Sequence, residues 1–160
     1  MTGDCENSLL LNQFIPYLMA NLAKRISGTC AVIYEENFDL TTPEWRILAR
    51  LAESGRENSR ELARLTFMDK SKVSRAVKLL NSKGYLSKRK DAADNRVTWL
   101  SLSKKGRKIY NNIAPEALAW EGELLDALSA VEYRNLLRII HKLDCRLDMF
   151  AGENIEAEPV

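Results

Sequence analysis

Asp69-Lys-Ser-Lys-Val-Ser-Arg-Ala-Val-Lys-Leu-Leu-Asn-Ser-Lys-Gly84 is a helix with both of its ends written in. Asp69 has the carboxylate that accepts from the free N–H groups of a first turn. Gly84 supplies the left-handed residue on which helices stop. Between them Val73, Ala76, Val77 and Leu80 fall at i, i+3, i+4 and i+7, a single apolar stripe for packing. Ser71, Ser74, Arg75, Lys78 and Ser82 take the other face, with Lys72 among them. Short hydroxyls and long cations on the free side of an anchored helix suit a DNA major groove, which admits one α-helix and is read by side-chain donors. For such a helix in isolation a solvated face is the ordinary reading, so its surroundings decide.

Upstream, Asn58-Ser-Arg-Glu61 is a second helix start, and Leu62, Ala63 and Leu65 give it a short apolar stripe. Thr66-Phe67-Met68 then turns the chain into the capped helix, which makes a helix-turn-helix. Downstream the period changes. Residues 85–90 and 97–102 mix aromatic and β-branched residues in rough alternation and read as two strands, joined by the polar turn Asp91-Ala-Ala-Asp-Asn-Arg96. A hairpin with a charged tip beside a helix-turn-helix is a wing. Arg96 is placed at the DNA backbone or in the minor groove, with Asp94 to orient it by a charge-assisted bond. Lys88 and Arg89 on the first strand are further candidate DNA contacts of the wing, and for Lys88 and Lys90 plain solvation is an equal reading.

The flanks are helical. Leu10, Phe14, Tyr17, Leu18 and Leu22 repeat at helical spacing, and Leu11, Ile15, Met19 and Ile26 widen the stripe. A helix over 9–36, buried on much of its circumference, is expected, with Pro16 and Gly28 as kink sites. Thr41-Thr-Pro-Glu44 is a capping box with a proline in the first turn; Trp45, Ile47, Leu48 and Leu51 form the face that follows, and Gly55 ends it. Ser103-Lys-Lys-Gly-Arg-Lys108 opens a helix running to Ser129, with a bend at Pro115 or Gly122. The last helix starts at Ser129 or Ala130 and carries Tyr133, Leu136, Leu137, Ile140, Leu143 and Leu147. Residues 1–8 and 151–160 are expected to be flexible tails.

Charge is segregated. Arg56 to Lys108 holds 16 Lys/Arg against 5 Asp/Glu, a local balance of +11, while the rest of the 160-residue chain stands at −9. A basic middle between acidic flanks is the footprint of a polyanion-binding module in a larger scaffold. Hydrophobic content of 46% and charged content of 29% are those of a globular protein. No apolar run approaches the roughly 18 residues of a membrane span, so no membrane is expected among the partners. The N-terminus lacks a secretory pattern, and three scattered cysteines fit a reducing cytoplasm.

With these residues placed, the chain resembles the MarR-type (multiple-antibiotic-resistance regulator) winged helix-turn-helix regulators over roughly residues 9–150. The resemblance is carried by Leu40-Thr-x-x-Glu-Trp45, Leu79-Leu-x-x-x-Gly-Tyr-Leu86, Arg89-x-Asp-x-x-Asp-x-Arg96 and Leu100-Ser-Leu-Ser-x-x-Gly106. Glu44 stands where that family usually has glutamine, and Ser103 where it has threonine. The resemblance implies a mainly α fold of about six helices and two to three short strands. It implies a winged helix-turn-helix over 37–103, and a helical dimerisation region over 9–36 and 104–150. It implies a homodimer in which Ser71, Ser74, Arg75 and Lys78 enter the major groove while Asp94 and Arg96 serve the wing. It also implies an aromatic or lipophilic effector, for which Phe14, Tyr17, Trp45 and Tyr110 are the candidate lining. The terminal helices support a dimer independently, being too long and apolar to bury on a winged helix of about 65 residues.

Other chemistry is thinly supported. His141 and Cys145 sit at i, i+4, but structural zinc wants four ligands, so no metal or other cofactor is expected. Cys5 and Cys30 lack the cationic flank of a reactive thiolate. One histidine, with no phosphate loop and no nucleophile–base pattern, argues against an enzyme. The expected function is a ligand-responsive repressor that binds a pseudo-palindromic duplex operator. The alternative is a winged helix used as a protein-interaction or architectural module.

Overall fold

The computed structural model describes residues 9–156, and side chains as far as residue 151. The expected N-terminal tail, Cys5 included, and the end of the C-terminal tail lie outside the described residues. In chain order the elements are α1 (Ile15–Glu36), α2 (Thr42–Ser54), β1 (Arg56–Asn58), α3 (Ser59–Thr66), α4 (Lys70–Ser82), β2 (Leu86–Lys90), β3 (Thr98–Leu102), α5 (Lys104–Leu125) and α6 (Ala130–Glu156). The chain divides into two compact units, Met1–Ala117 and Leu118–Val160, at a point inside α5.

The first unit holds the core. Ile47, Leu48 and Leu51 of α2, Leu62 of α3, Leu100 of β3 and Ile113 of α5 are buried together with the expected α4 stripe of Val73, Ala76, Val77 and Leu80. Burying each large side chain of this set contributes about 1.5–3 kcal/mol. The helix ends follow from local chemistry. Thr41 and Glu44 close the capping box of α2, and Gly55 ends that helix at φ 81°. Asn58 Oδ1 accepts from Glu61 N–H at 3.0 Å, and Asp69 Oδ1 from Lys72 N–H at 2.8 Å. At the end of α4, Tyr85 N–H donates to Leu80 O at 2.9 Å and Gly84 N–H to Asn81 O at 3.0 Å, a closure made possible by the positive φ of Gly84.

Three strands form one antiparallel sheet in the order β1-β3-β2. The hairpin pairs Leu86 with Leu102 and Lys90 with Thr98. On the other edge of β3, Arg56 pairs with Ser101 and Asn58 with Trp99. Gly106, in the first turn of α5, passes so close to the entry of β2 that a Cβ there would lie 2.0 Å from Tyr85 O. Ser103 ties this crossing together: its hydroxyl donates to Gly84 O at 2.7 Å and accepts from Gly106 N–H at 3.0 Å, and its own N–H reaches Tyr85 O at 2.9 Å.

Several expectations change. α1 starts at Ile15 rather than Leu9, because residues 11–13 form a turn, and Pro16 stands in the first helical turn, where its missing N–H costs nothing. The helix is not buried around its circumference: every residue from Leu9 to Arg25 is exposed, and only its C-terminal end meets the core through Ala31 and Tyr34. α5 runs through Pro115 and stops at Leu125 instead of Ser129. Ser129 is needed as the cap of α6, accepting from Glu132 N–H while Glu132 Oε2 accepts from Ser129 N–H at 2.8 Å. α6 continues past Gly152 to Glu156.

Candidate nucleic-acid interface

Five residues of α4 were expected at the groove, and all five are exposed: Ser71, Lys72, Ser74, Arg75 and Lys78. The cause is the register of the stripe, which turns Val73, Ala76, Val77 and Leu80 inward and leaves the intervening positions outside. Lys72 is partly engaged at home, its Nζ lying 3.4 Å from Asp69 Oδ2. Arg75 and Lys78 have no ion-pair partner among the described residues.

The wing presents Lys88, Arg89 and Lys90 from β2 and Asp94 and Arg96 from the turn, all exposed. Asp94 does position Arg96, but through the main chain: its Oδ1 accepts from Arg96 N–H at 2.9 Å and leaves the guanidinium unbound. The reason is reach, since a carboxylate two residues ahead meets the backbone before it meets the end of a long side chain. Arg96 shares a cleft of about 450 Å³ with Val97, Thr98 and the start of α3, whose Arg60 also lines it.

Asp91 is the wing residue that the sequence reading passed over. Its Oδ2 accepts from Trp99 Nε1–H at 2.7 Å, and its Oδ1 from Ala93 and Asp94 N–H at 2.9 and 3.0 Å. Arg56 lies over the Trp99 ring, 4.8 Å from its centre. The Trp99 indole first, then the Asp94 and Ala93 N–H groups, hold the Asp91 carboxyl down at about 2. A carboxyl lowered on folding stabilises above its unfolded value near 3.8, and that contribution is lost as pH falls towards about 2. We expect the Trp99 indole N–H resonance to move across that interval, and to sit at its acid position in Asp91→Asn at neutral pH. A resonance indifferent to both would show that the carboxylate does not hold the wing.

Two further features tie this surface to α2. Glu44 is 0% exposed. Its Oε2 accepts from Thr41 N–H at 2.8 Å and from the Thr41 hydroxyl at 2.7 Å, while its Oε1 faces Lys83 Nζ at 3.0 Å. Oε1 is also the one side-chain atom buried without a hydrogen bond among the described residues, so charge more than alignment holds the pair. Lys83 Nζ also donates to Asp39 O. The end of α4 is thus pinned to the start of α2.

Beside that start, Tyr34, Trp45 and Tyr110 stack in a ladder with 5.8 Å between successive ring centres. Burial pushes the Tyr34 hydroxyl pKa up, against the pull of its bond to Thr42. Trp45 and Tyr110 then wall an open groove of about 510 Å³ with Arg46, Arg50, Leu65 and Thr66. Of the four aromatics named for an effector, the structure brings together Trp45 and Tyr110; Phe14 and Tyr17 are exposed at the start of α1 and do not line this groove. Tyr34 was missed because nothing within its own turn marks it; only the fold sets it against Trp45. Cys145 lies 3.7 Å from His141 Nε2, both exposed, and no group of three metal-ligating side chains occurs among the described residues. No described helix is long and apolar enough to cross a membrane.

Comparison with known proteins agrees with this geometry. The family model described as "Transcriptional regulator SarA/Rot" matches residues 31–113, more than half of the chain. An HTH-type transcriptional regulator of Bacillus subtilis, YdgJ, is 26% identical over 141 residues, covering 86% of this chain and 83% of its own. The structure of a MarR/EmrR family transcriptional regulator from Acinetobacter sp. ADP1 superposes with a TM-score of 0.80 at 23% identity, over 88% of this chain and 99% of that one. That of Bordetella bronchiseptica BpsR, whose DNA binding is regulated by 6-hydroxynicotinic acid, gives 0.77 at 17%, over 86% and 98%. These relatives are regulators rather than enzymes. The exposed basic helix, the wing and the matching family model lead to one assignment: the chain belongs to the SarA/Rot family of winged-helix transcriptional regulators and has the fold of MarR-type proteins.

Proposed function

We propose that the protein is a homodimeric repressor that binds a pseudo-palindromic duplex and releases it in response to a small aromatic or lipophilic molecule. The observation that carries the DNA reading is the exposed Ser71, Ser74, Arg75 and Lys78 face of a helix fixed on its other side by four buried residues. Arg96 and Arg60 supply the flanking phosphate contacts. The +11 segment provides sequence-independent affinity by counterion release, so binding weakens steeply with salt.

The dimer is supported by uncovered apolar surface. Leu18 and Leu22 on α1 and Leu136, Ile140 and Leu143 on α6 are all exposed in the single chain. A lone soluble chain rarely leaves that much apolar surface to water. We assign Phe14 and Tyr17 to this contact. A two-fold dimer would set its α4 helices roughly 34–36 Å apart, one turn of DNA. Trp45, Tyr110, Arg46 and Arg50 form the effector groove, where Arg50 is paired with Glu53 at 2.8 Å; the flat aromatic wall and the Arg46 guanidinium suit a planar anion. BpsR, of the same fold, answers to such a molecule.

The test is fluorescence anisotropy on a duplex selected from a random pool by the wild-type protein, at fixed salt. Arg75→Ala and Lys78→Ala should each weaken binding by about 1–3 kcal/mol and relax base preference. Arg96→Ala should weaken it evenly across sequences. Unchanged affinity in all three variants would remove α4 and the wing from the interface. Binding indifferent to sequence would favour an architectural module.

A further inference from the structure

The turn between α3 and α4 contains a residue that the fold does not explain. α3 closes with Phe67 N–H donating to Arg64 O at 3.4 Å and Met68 N–H to Ala63 O at 3.1 Å. This closure needs a left-handed residue, a place suited to glycine. Here it is phenylalanine, at φ 52°. A bulky L-residue in that conformation is strained. Nothing among the described residues repays the strain. Phe67 is 92% exposed, more than any other large hydrophobic among the described residues. The apolar contact that usually accompanies such a turn comes from its neighbour Met68, which is buried in the core. The Phe67 ring serves neither the turn nor the core.

Its surroundings indicate what it meets. Arg64, bridged to Glu61 at 2.9 Å, precedes it and Lys70 and Lys72 follow it, all exposed. The one acid between them, Asp69, is committed to capping α4. Phe67 lies two residues before that cap, at the end of the recognition helix that leads into a major groove in helix-turn-helix docking. An apolar ring among cations at that point matches duplex DNA, which has an anionic backbone and one apolar group on its major-groove edge, the thymine C5-methyl.

We propose that Phe67 is a specificity-determining residue whose ring packs on a thymine methyl at the edge of each half-site. This rests on the reading of α4 as the DNA-reading helix. It makes an unusual demand: replacing Phe67 should relieve the fold and harm the function. Phe67→Gly should keep or raise the thermal midpoint, yet bind the selected duplex about four- to tenfold more weakly. Phe67→Tyr, which keeps the ring, should bind as the wild type does. Uracil, which lacks the methyl, is then substituted for each thymine in turn. The wild type should lose a similar factor at one position per half-site, and Phe67→Gly should be indifferent there. The proposal is overturned if Phe67→Gly binds the thymine duplex as tightly as the wild type, or if it is weakened but keeps the wild-type uracil pattern. Weakening by Arg75→Ala without weakening by Phe67→Gly would remove this proposal alone. No effect of either, or of Lys78→Ala, would remove the α4 reading beneath it.

Discussion

Lys83→Met will cost about 3 kcal/mol of folding stability at neutral pH, and adding Glu44→Gln to that variant will recover most of it. The substitution strands a charge. Glu44 is wholly buried, and two bonds from Thr41 satisfy only its Oε2. Oε1 is left facing an aliphatic chain once the ammonium 3.0 Å away is gone. Breaking a buried pair from one side costs roughly 3–5 kcal/mol, and the low end applies because the Lys83 side chain keeps 24% of its exposure. A neutral glutamine can still accept from Thr41, so the double variant loses the pair without burying an orphan charge. Urea unfolding of the four proteins of the cycle measures this coupling. Strict additivity of the two single changes would show that the ion pair does not join α2 to α4.

Gly106→Ala will destabilise the protein by about 2–3 kcal/mol, although alanine is normally the better helix residue by about 1 kcal/mol. The added methyl meets Tyr85 O at 2.0 Å. It cannot be accommodated by a small shift, because that carbonyl also accepts the Ser103 N–H, and the Ser103 hydroxyl holds Gly84 O and Gly106 N–H on either side. Separating α5 from β2 would break this set together. A gain in the urea midpoint would show that the crossing is looser than this geometry.

What could be read from the chain beforehand was what is decided within a turn or two. Asp69, Thr41 with Glu44, Gly55 and Gly84 act on N–H and C=O groups a few residues away, and each behaves as its neighbourhood demands. The α4 stripe fixed which side chains face outward, so the candidate groove face needed no knowledge of the fold. What escaped depends on partners distant in sequence. β1 is three polar residues with no strand pattern of their own; they extend because β3 offers a free edge. Glu44 was legible as half of a capping box and not as the partner of Lys83. Asp91 looked like one polar turn residue among several until the hairpin brought Trp99 across to it. The apolar run of α1 was legible as apolar, but none of the described residues covers it between Leu9 and Arg25.

The placing of the tryptophans has a practical outcome. The chain has three: Trp45 in the stacked ladder beside the groove, Trp99 bonded to Asp91 in the wing, and Trp120 on the stretch of α5 beyond Ala117. Each region thus carries one native fluorophore. Variants that retain a single indole would let emission wavelength and quenching follow the groove, the wing and the C-terminal helices separately, with no dye attached.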